Sequence, residues 1–125
     1  MIHVITNIER PSQDLIDQFR ALSSSTVYEA YGRKGAVDCR IKPMTKGLRL
    51  CGPAFTVQCH PGDNLMLHKA LERAKPGDIL VTSVGGHFEA GYFGALMSIS
   101  AVARKLGGLA IDGCIGDSDD ILKIG

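Results

Sequence analysis

Between residues 12 and 31, apolar side chains recur at Leu15, Ile16, Phe19, Leu22, Val27 and Ala30. That spacing is roughly helical and predicts helix. Pro11-Ser12 offers a start signal and Gly32 a stop. The run Ser23-Ser24-Ser25-Thr26 should divide the segment into two helices, with Thr26 capping the second. A polar connector, 35–47, carries Pro43. Residues 48–59 then read as a strand, with Ala54, Thr56 and Gln58 alternating against Phe55, Val57 and Cys59. Pro53 has no N–H for a ladder, so it belongs at a strand edge or bulge. The turn Pro61-Gly62-Asp63-Asn64 leads into a helix over 65–74, with Asp63 or Asn64 near its cap.

A second turn, Pro76-Gly77-Asp78, precedes a short buried strand over 79–84, which Gly85-Gly86 breaks. Residues 90–106 are small and apolar on nearly every face, which predicts a largely buried helix. Gly107-Gly108 ends it, and an apolar strand closes at Asp112. The order from residue 48 is strand, helix, strand, helix, strand. Such alternation predicts an α/β domain with a largely parallel sheet. Ligands in such folds collect at the carboxyl ends of strands. Three tracts should gather there: PGDN, SVGGHFEAGYFG and DGCIGDSDD.

The 125 residues suffice for one domain with one core, and 45% apolar with 22% charged residues is ordinary for a globular chain. A formal net charge of +1 argues against nucleic acid or an anionic membrane as partner. Arg33, Lys34, Arg40, Lys42, Lys46 and Arg49 cluster, but mixed polar and basic blocks of this kind read as solvated loop. Cys39, Cys51, Cys59 and Cys114 form no C-x-x-C pair, which excludes the usual zinc-ribbon and thioredoxin spacings. Residues 1–11 lack a basic region followed by an apolar run, and no apolar stretch reaches the roughly 18–20 residues that span a bilayer. A cytoplasmic location is expected. The final residues read as the start of a further element, so the domain, residues 1–125, is expected to be incomplete at its C-terminus.

Candidate chemistry concentrates near Asp117, just past the last strand. Asp112, Asp117, Asp119 and Asp120 form an acidic run among glycines, suited either to a hard cation or to turns and caps. Gly91 to Met97 places glycines before a helix, whose first N–H groups can bind a carboxylate or phosphate. Close packing explains those glycines equally well. His3, His60, His68 and His87 show no H-x-x-x-H pair. His60 and His68 flank the PGDN turn and His87 lies in the glycine loop, near enough to a site to take part, although a lone surface histidine more often has no such role. Neither a P-loop nor a G-x-S-x-G elbow is present.

Five tracts, CGPAFTV (51–57), PGDNLMLH (61–68), KPGDILV (75–81), GYFG (91–94) and IDGCIGD (111–117), keep order and spacing that together resemble the RraA-like family. Within it the chain is most similar to the 4-hydroxy-4-methyl-2-oxoglutarate / 4-carboxy-4-hydroxy-2-oxoadipate aldolases. The resemblance implies a layered, swivelling-type β/β/α domain and a homotrimer or hexamer with sites between subunits. It also implies a divalent-metal pyruvate aldolase, with oxaloacetate decarboxylation as a side activity. Mg2+ or Mn2+ would hold the oxo acid and stabilise the enolate formed on cleavage.

Carried over by position, Asp117 matches the metal-ligating aspartate and Asp120 an acidic residue behind it. Leu96 and Met97 match the residues whose N–H groups hold the pyruvate carboxylate. Asn64 and Gly94 match pocket positions. Two positions depart from the pattern: Gly116 stands where the family has an arginine, and Ala95 where it has an acid. Both losses predict weakened or altered turnover. They also fit a non-catalytic RraA-like regulator that binds a protein partner such as a ribonuclease.

Overall fold

The computed structural model describes residues 3–125. Met1 and Ile2, which begin the segment read for a secretion signal, lie outside the described residues. The chain forms two compact units, one ending at Gly35 and one spanning Ala36–Gly125. Each is described by itself.

The first unit carries helices α1 (Gln13–Arg20) and α2 (Ser24–Ala30). Ser12 caps α1 by accepting the Leu15 N–H. The divide falls where the serine run predicts, but the cap is Ser23, not Thr26. Ser23 Oγ accepts the Thr26 N–H at 3.1 Å. Extended backbone at Ser23 lets its hydroxyl reach an orphan amide of the first turn, whereas Thr26 already lies inside the helix and supplies that amide.

The second unit holds β1 (Ala54–Gln58), α3 (Leu65–Arg73), β2 (Ile79–Ser83), β3 (Gly91–Phe93), α4 (Ala95–Ala103), β4 (Gly108–Ile111), β5 (Cys114–Ile115) and α5 (Ser118–Ile124). Strands β1, β2 and β4 form a parallel sheet in the order β1-β2-β4, and β3 pairs in parallel with β5. The architecture is α/β, as the alternation of elements predicts. Phe55, Val57 and Cys59 are buried while Ala54, Thr56 and Gln58 are exposed, which matches the two-residue period of the sequence. The predicted strand at 48–59 begins only at Ala54. Pro53 stands just before it and contributes its carbonyl, which accepts the Ile79 N–H at 2.8 Å.

Leu67, Ala70 and Leu71 of α3 are buried, and α3 packs on β1. Thr82, in mid-β2, buries a hydroxyl that has no hydrogen-bond partner among the described residues. The basic connector is solvated: Arg33, Lys34, Arg40, Lys42, Lys46 and Arg49 are all exposed. The Arg40 guanidinium hydrogen-bonds Asp38 and holds its carboxyl down at about 2.

Two expectations are corrected in the segment 90–106. Its first residues form β3, and only Ala95–Ala103 is helical. Nor is that helix largely buried. Met97 and Ser98 are covered, but Leu96 is 83% exposed and Ile99 and Val102 are about half exposed. Its neighbours α3 and α5 cover only part of its surface. Apolar content alone does not say how many sides of a helix find a partner.

Candidate functional site

The three tracts expected at the strand ends do meet there, and Tyr92 joins two of them. Its hydroxyl accepts the Gly62 N–H at 2.7 Å, and its carbonyl accepts the Asn64 side-chain amide at 3.1 Å. The PGDN turn is thus tied at two points to β3. Asn64 occupies the N-cap position of α3, yet its side chain turns away from that helix. Asp63 serves α3 instead, accepting the Leu65 N–H at 2.7 Å. Asn64 Nδ2 also approaches Met97 Sδ at 3.8 Å, which brings the turn against the first turn of α4.

Asp117 reaches the same helix from the other side. Its Oδ2 accepts the Ala95 N–H at 3.0 Å. Asp117 stands at the N-cap position of α5 in a left-handed conformation, φ +52°, and makes no side-chain bond to that helix. Its carboxylate caps α4 instead. The first i→i−4 bond of α4 runs from the Ser98 N–H to the Gly94 carbonyl, so the N–H groups of Leu96 and Met97 precede the helical ladder. Gly94 has a steric role here: a Cβ on it would lie 2.8 Å from Asp117 Oδ2. The absence of that carbon lets the carboxylate approach the helix end.

Asn64, Gly94, Ala95, Leu96, Met97 and Asp117 are therefore brought together. Gly116 adjoins them, held by its N–H to the Phe93 carbonyl at 2.9 Å. A side chain at 116 would enter open space, with no atom within 4 Å of its Cβ. The Asp120 carboxylate lies on the exposed surface of α5 and pairs with Lys123 Nζ at 3.0 Å.

The acidic run does not act as one cluster. Asp112 bonds back to β2, accepting the Ser83 hydroxyl at 2.8 Å and the Val84 N–H at 2.6 Å. Among the described residues, no group of three or more His, Cys, Asp or Glu side chains could enclose a metal. Asp117 fits a narrower role. Mg2+ commonly takes one or two carboxylates and keeps several waters. The Asp117 carboxylate is one oxygen ligand of that kind, while the N–H groups of α4 suit an anion rather than the cation.

Two arrangements at the strand ends have no signal in the sequence pattern. Tyr92 sat in a glycine tract and signalled only packing. Asp112 follows the last residue of the half-buried β4, which places its carboxylate beside the end of β2 rather than with its acidic neighbours in the sequence. A shallow groove lined by His68, Leu71, Leu96, Met97 and Arg104 lies between α3 and α4. It borders the site through Leu96 and Met97 but includes neither Gly94 nor Asp117.

Known proteins resemble this chain in sequence and in fold. The RraA-like pattern, described as Aldolase/RraA, matches residues 12–125. A protein of Halalkalibacterium halodurans, provisionally named as a 4-hydroxy-4-methyl-2-oxoglutarate aldolase, is 33% identical over 104 residues. The match covers 83% of this chain and 50% of that protein, so the chain spans about half the length of this relative. The solved structure of Streptomyces coelicolor RraAS2, described as an unusual member of the RNase ES inhibitor RraA family, superposes with a TM-score of 0.82 at 26% identity. That superposition covers 95% of this chain and 62% of RraAS2. An uncharacterised protein from Pseudomonas syringae pv. tomato shares the fold, with a TM-score of 0.79 at 24% identity over 99% of this chain and 58% of its own. No helix among the described residues is long and apolar enough to cross a membrane. From the family pattern across nearly the whole chain and the matching fold, this chain belongs to the RraA-like family.

Proposed function

We propose that the strand-end site binds a pyruvate-containing oxo acid together with a divalent cation, Mg2+ or Mn2+, and cleaves 4-hydroxy-2-oxo acids of the 4-hydroxy-4-methyl-2-oxoglutarate type. Oxaloacetate decarboxylation would be a side activity. The observation that carries this reading is the Asp117 carboxylate seated on the N-terminus of α4 beside the N–H groups of Leu96 and Met97.

Those N–H groups and the positive end of the helix suit a substrate carboxylate. Asp117 already places one negative charge there. Two carboxylates about 4–6 Å apart repel by about 3–4 kcal/mol at an effective dielectric of 20. A cation between them removes that penalty, so the same helix end that binds the substrate also calls for a metal at Asp117. When bound, the cation supplies Lewis-acid polarisation of the substrate carbonyl. Asp117, kept in place by the Ala95 N–H, orients it. Asn64, tied to Tyr92 and lying against Met97, closes one side of the site.

Gly116 and Ala95 bring no side-chain charge. In the related aldolases an arginine stands at the first position and an acid at the second, so this chain should turn over slowly. By analogy with deleting an oxyanion donor, the missing arginine costs about 3–4 kcal/mol of charge stabilisation. The test is pyruvate release from oxaloacetate and from 4-hydroxy-4-methyl-2-oxoglutarate, with and without Mg2+, for the wild type and for Gly116→Arg. If both are folded and neither shows metal-dependent release, the reading fails.

A second reading, a non-catalytic regulator that binds a protein such as a ribonuclease, is favoured by one observation. Leu96, Ile99 and Val102 leave an apolar face of α4 exposed. In the homotrimer or hexamer implied by the resemblance, subunit contact would cover this face. Light scattering separates the two: a stable trimer supports subunit contact, and a monomer that retains ribonuclease in a pull-down supports the regulator.

A further inference from the structure

His87 lies in the loop between β2 and β3, outside the residues just assigned to the oxo-acid site. Its Nδ1 is 2.9 Å from the Tyr92 hydroxyl, and the two rings meet edge to face. Tyr92 is only 1% exposed, so its phenolic proton requires an acceptor within the protein. The Gly62 N–H can only donate, and it already occupies the phenol oxygen from one side. Among the described residues, His87 Nδ1 is the acceptor within reach.

We propose that His87 is a positioning residue: held as the neutral Nε2–H tautomer, it fixes the direction of the Tyr92 hydroxyl and, through it, the 61–64 turn. A proton on Nδ1 would set two donors face to face and turn the phenolic proton away from its acceptor. The consequence reaches Asn64 because Tyr92 holds the turn at two points, through Gly62 at its hydroxyl and Asn64 at its carbonyl. One imidazole nitrogen thus governs a chain of contacts that runs from the 84–90 loop to the first turn of α4. The proposal stands apart from the oxo-acid reading, since none of its tests uses turnover.

Nitrogen-15 NMR of the histidine rings at neutral pH should find His87 Nδ1 unprotonated and Nε2 protonated. Tyr92→Phe keeps the buried ring and removes only the hydroxyl. It should speed hydrogen exchange of the Gly62 amide by about tenfold and let the His87 tautomers mix. His87→Asn presents an oxygen near the place of Nδ1, and it should keep the Gly62 protection that His87→Ala loses. A wild-type Nδ1–H tautomer overturns the proposal. So does equal Gly62 exchange in His87→Asn and His87→Ala, a pair that decides the matter even if Tyr92→Phe does not fold.

Discussion

The Asp117 carboxylate accepts the Ala95 N–H at 3.0 Å, so the residue that opens α5 caps α4. This cross-helix cap locks the segment after β5 to the segment after β3. It also aims one carboxylate oxygen at the helix end.

The cap and the proposed metal role of Asp117 separate by substitution. Asp117→Asn keeps an oxygen for the Ala95 N–H and tolerates the left-handed backbone, so it should cost under about 1 kcal/mol. Asp117→Ala loses both and should cost about 1–3 kcal/mol in thermal unfolding. Both variants should lose Mg2+ binding in calorimetric titration. An Asn variant that binds Mg2+ like the wild type would remove Asp117 from the metal role.

Gly94→Ala places a methyl group 2.8 Å from Asp117 Oδ2. The carboxylate can swing away, so the loss of stability should be small, about 0.5–2 kcal/mol for the lost cap. Mg2+ affinity should fall more than the melting temperature does. Unchanged affinity would mean that the cross-helix contact does not position the metal ligand.

Gly116→Arg should raise metal-dependent pyruvate release by about 10²–10³-fold, since a charged donor returns to the site. Open space at the Cβ of residue 116 predicts that the variant folds as the wild type does. Correct folding with no gain in rate would show that the arginine is not the missing element.

Leu67 is fully buried where α3 faces β1. Leu67→Ala removes methyl groups and leaves a cavity, and should cost about 2–5 kcal/mol in denaturant unfolding. A cost below about 1 kcal/mol would indicate that α3 does not anchor the sheet.

Burial pushes the Cys59 thiol above its ordinary pKa, whereas Cys39 and Cys114 are exposed. A thiol-directed reagent at neutral pH should modify Cys39 and Cys114 in the native protein and reach Cys59 only on unfolding. The folded state resists ionisation of Cys59, so its contribution to stability is complete at neutral pH. That contribution declines as pH rises through the alkaline range, where the unfolded thiol ionises first. Rapid native labelling of Cys59 would contradict its burial.

Much of this protein follows from local chemistry that a sequence displays. Alternation at Ala54 to Cys59 predicts the two faces of β1, because a pleated strand turns successive side chains to opposite sides. Glycine and proline turns mark where strands stop. The strand–helix order predicts a parallel sheet, and a parallel sheet predicts where the site gathers. Asp117, Gly94 and the first turn of α4 were legible on those grounds and through the family resemblance.

Tertiary structure decided what depends on distance across the fold. It turned Asp112 toward Ser83 and Val84, and aimed Asp117 at a helix that begins 22 residues earlier. It exposed Leu96, Ile99 and Val102 on a helix whose composition predicts burial. It also made Tyr92 the joint between two loops. A carboxylate or hydroxyl takes the nearest unsatisfied partner, and which partner is nearest is set by how the strands and helices pack, not by neighbours along the chain.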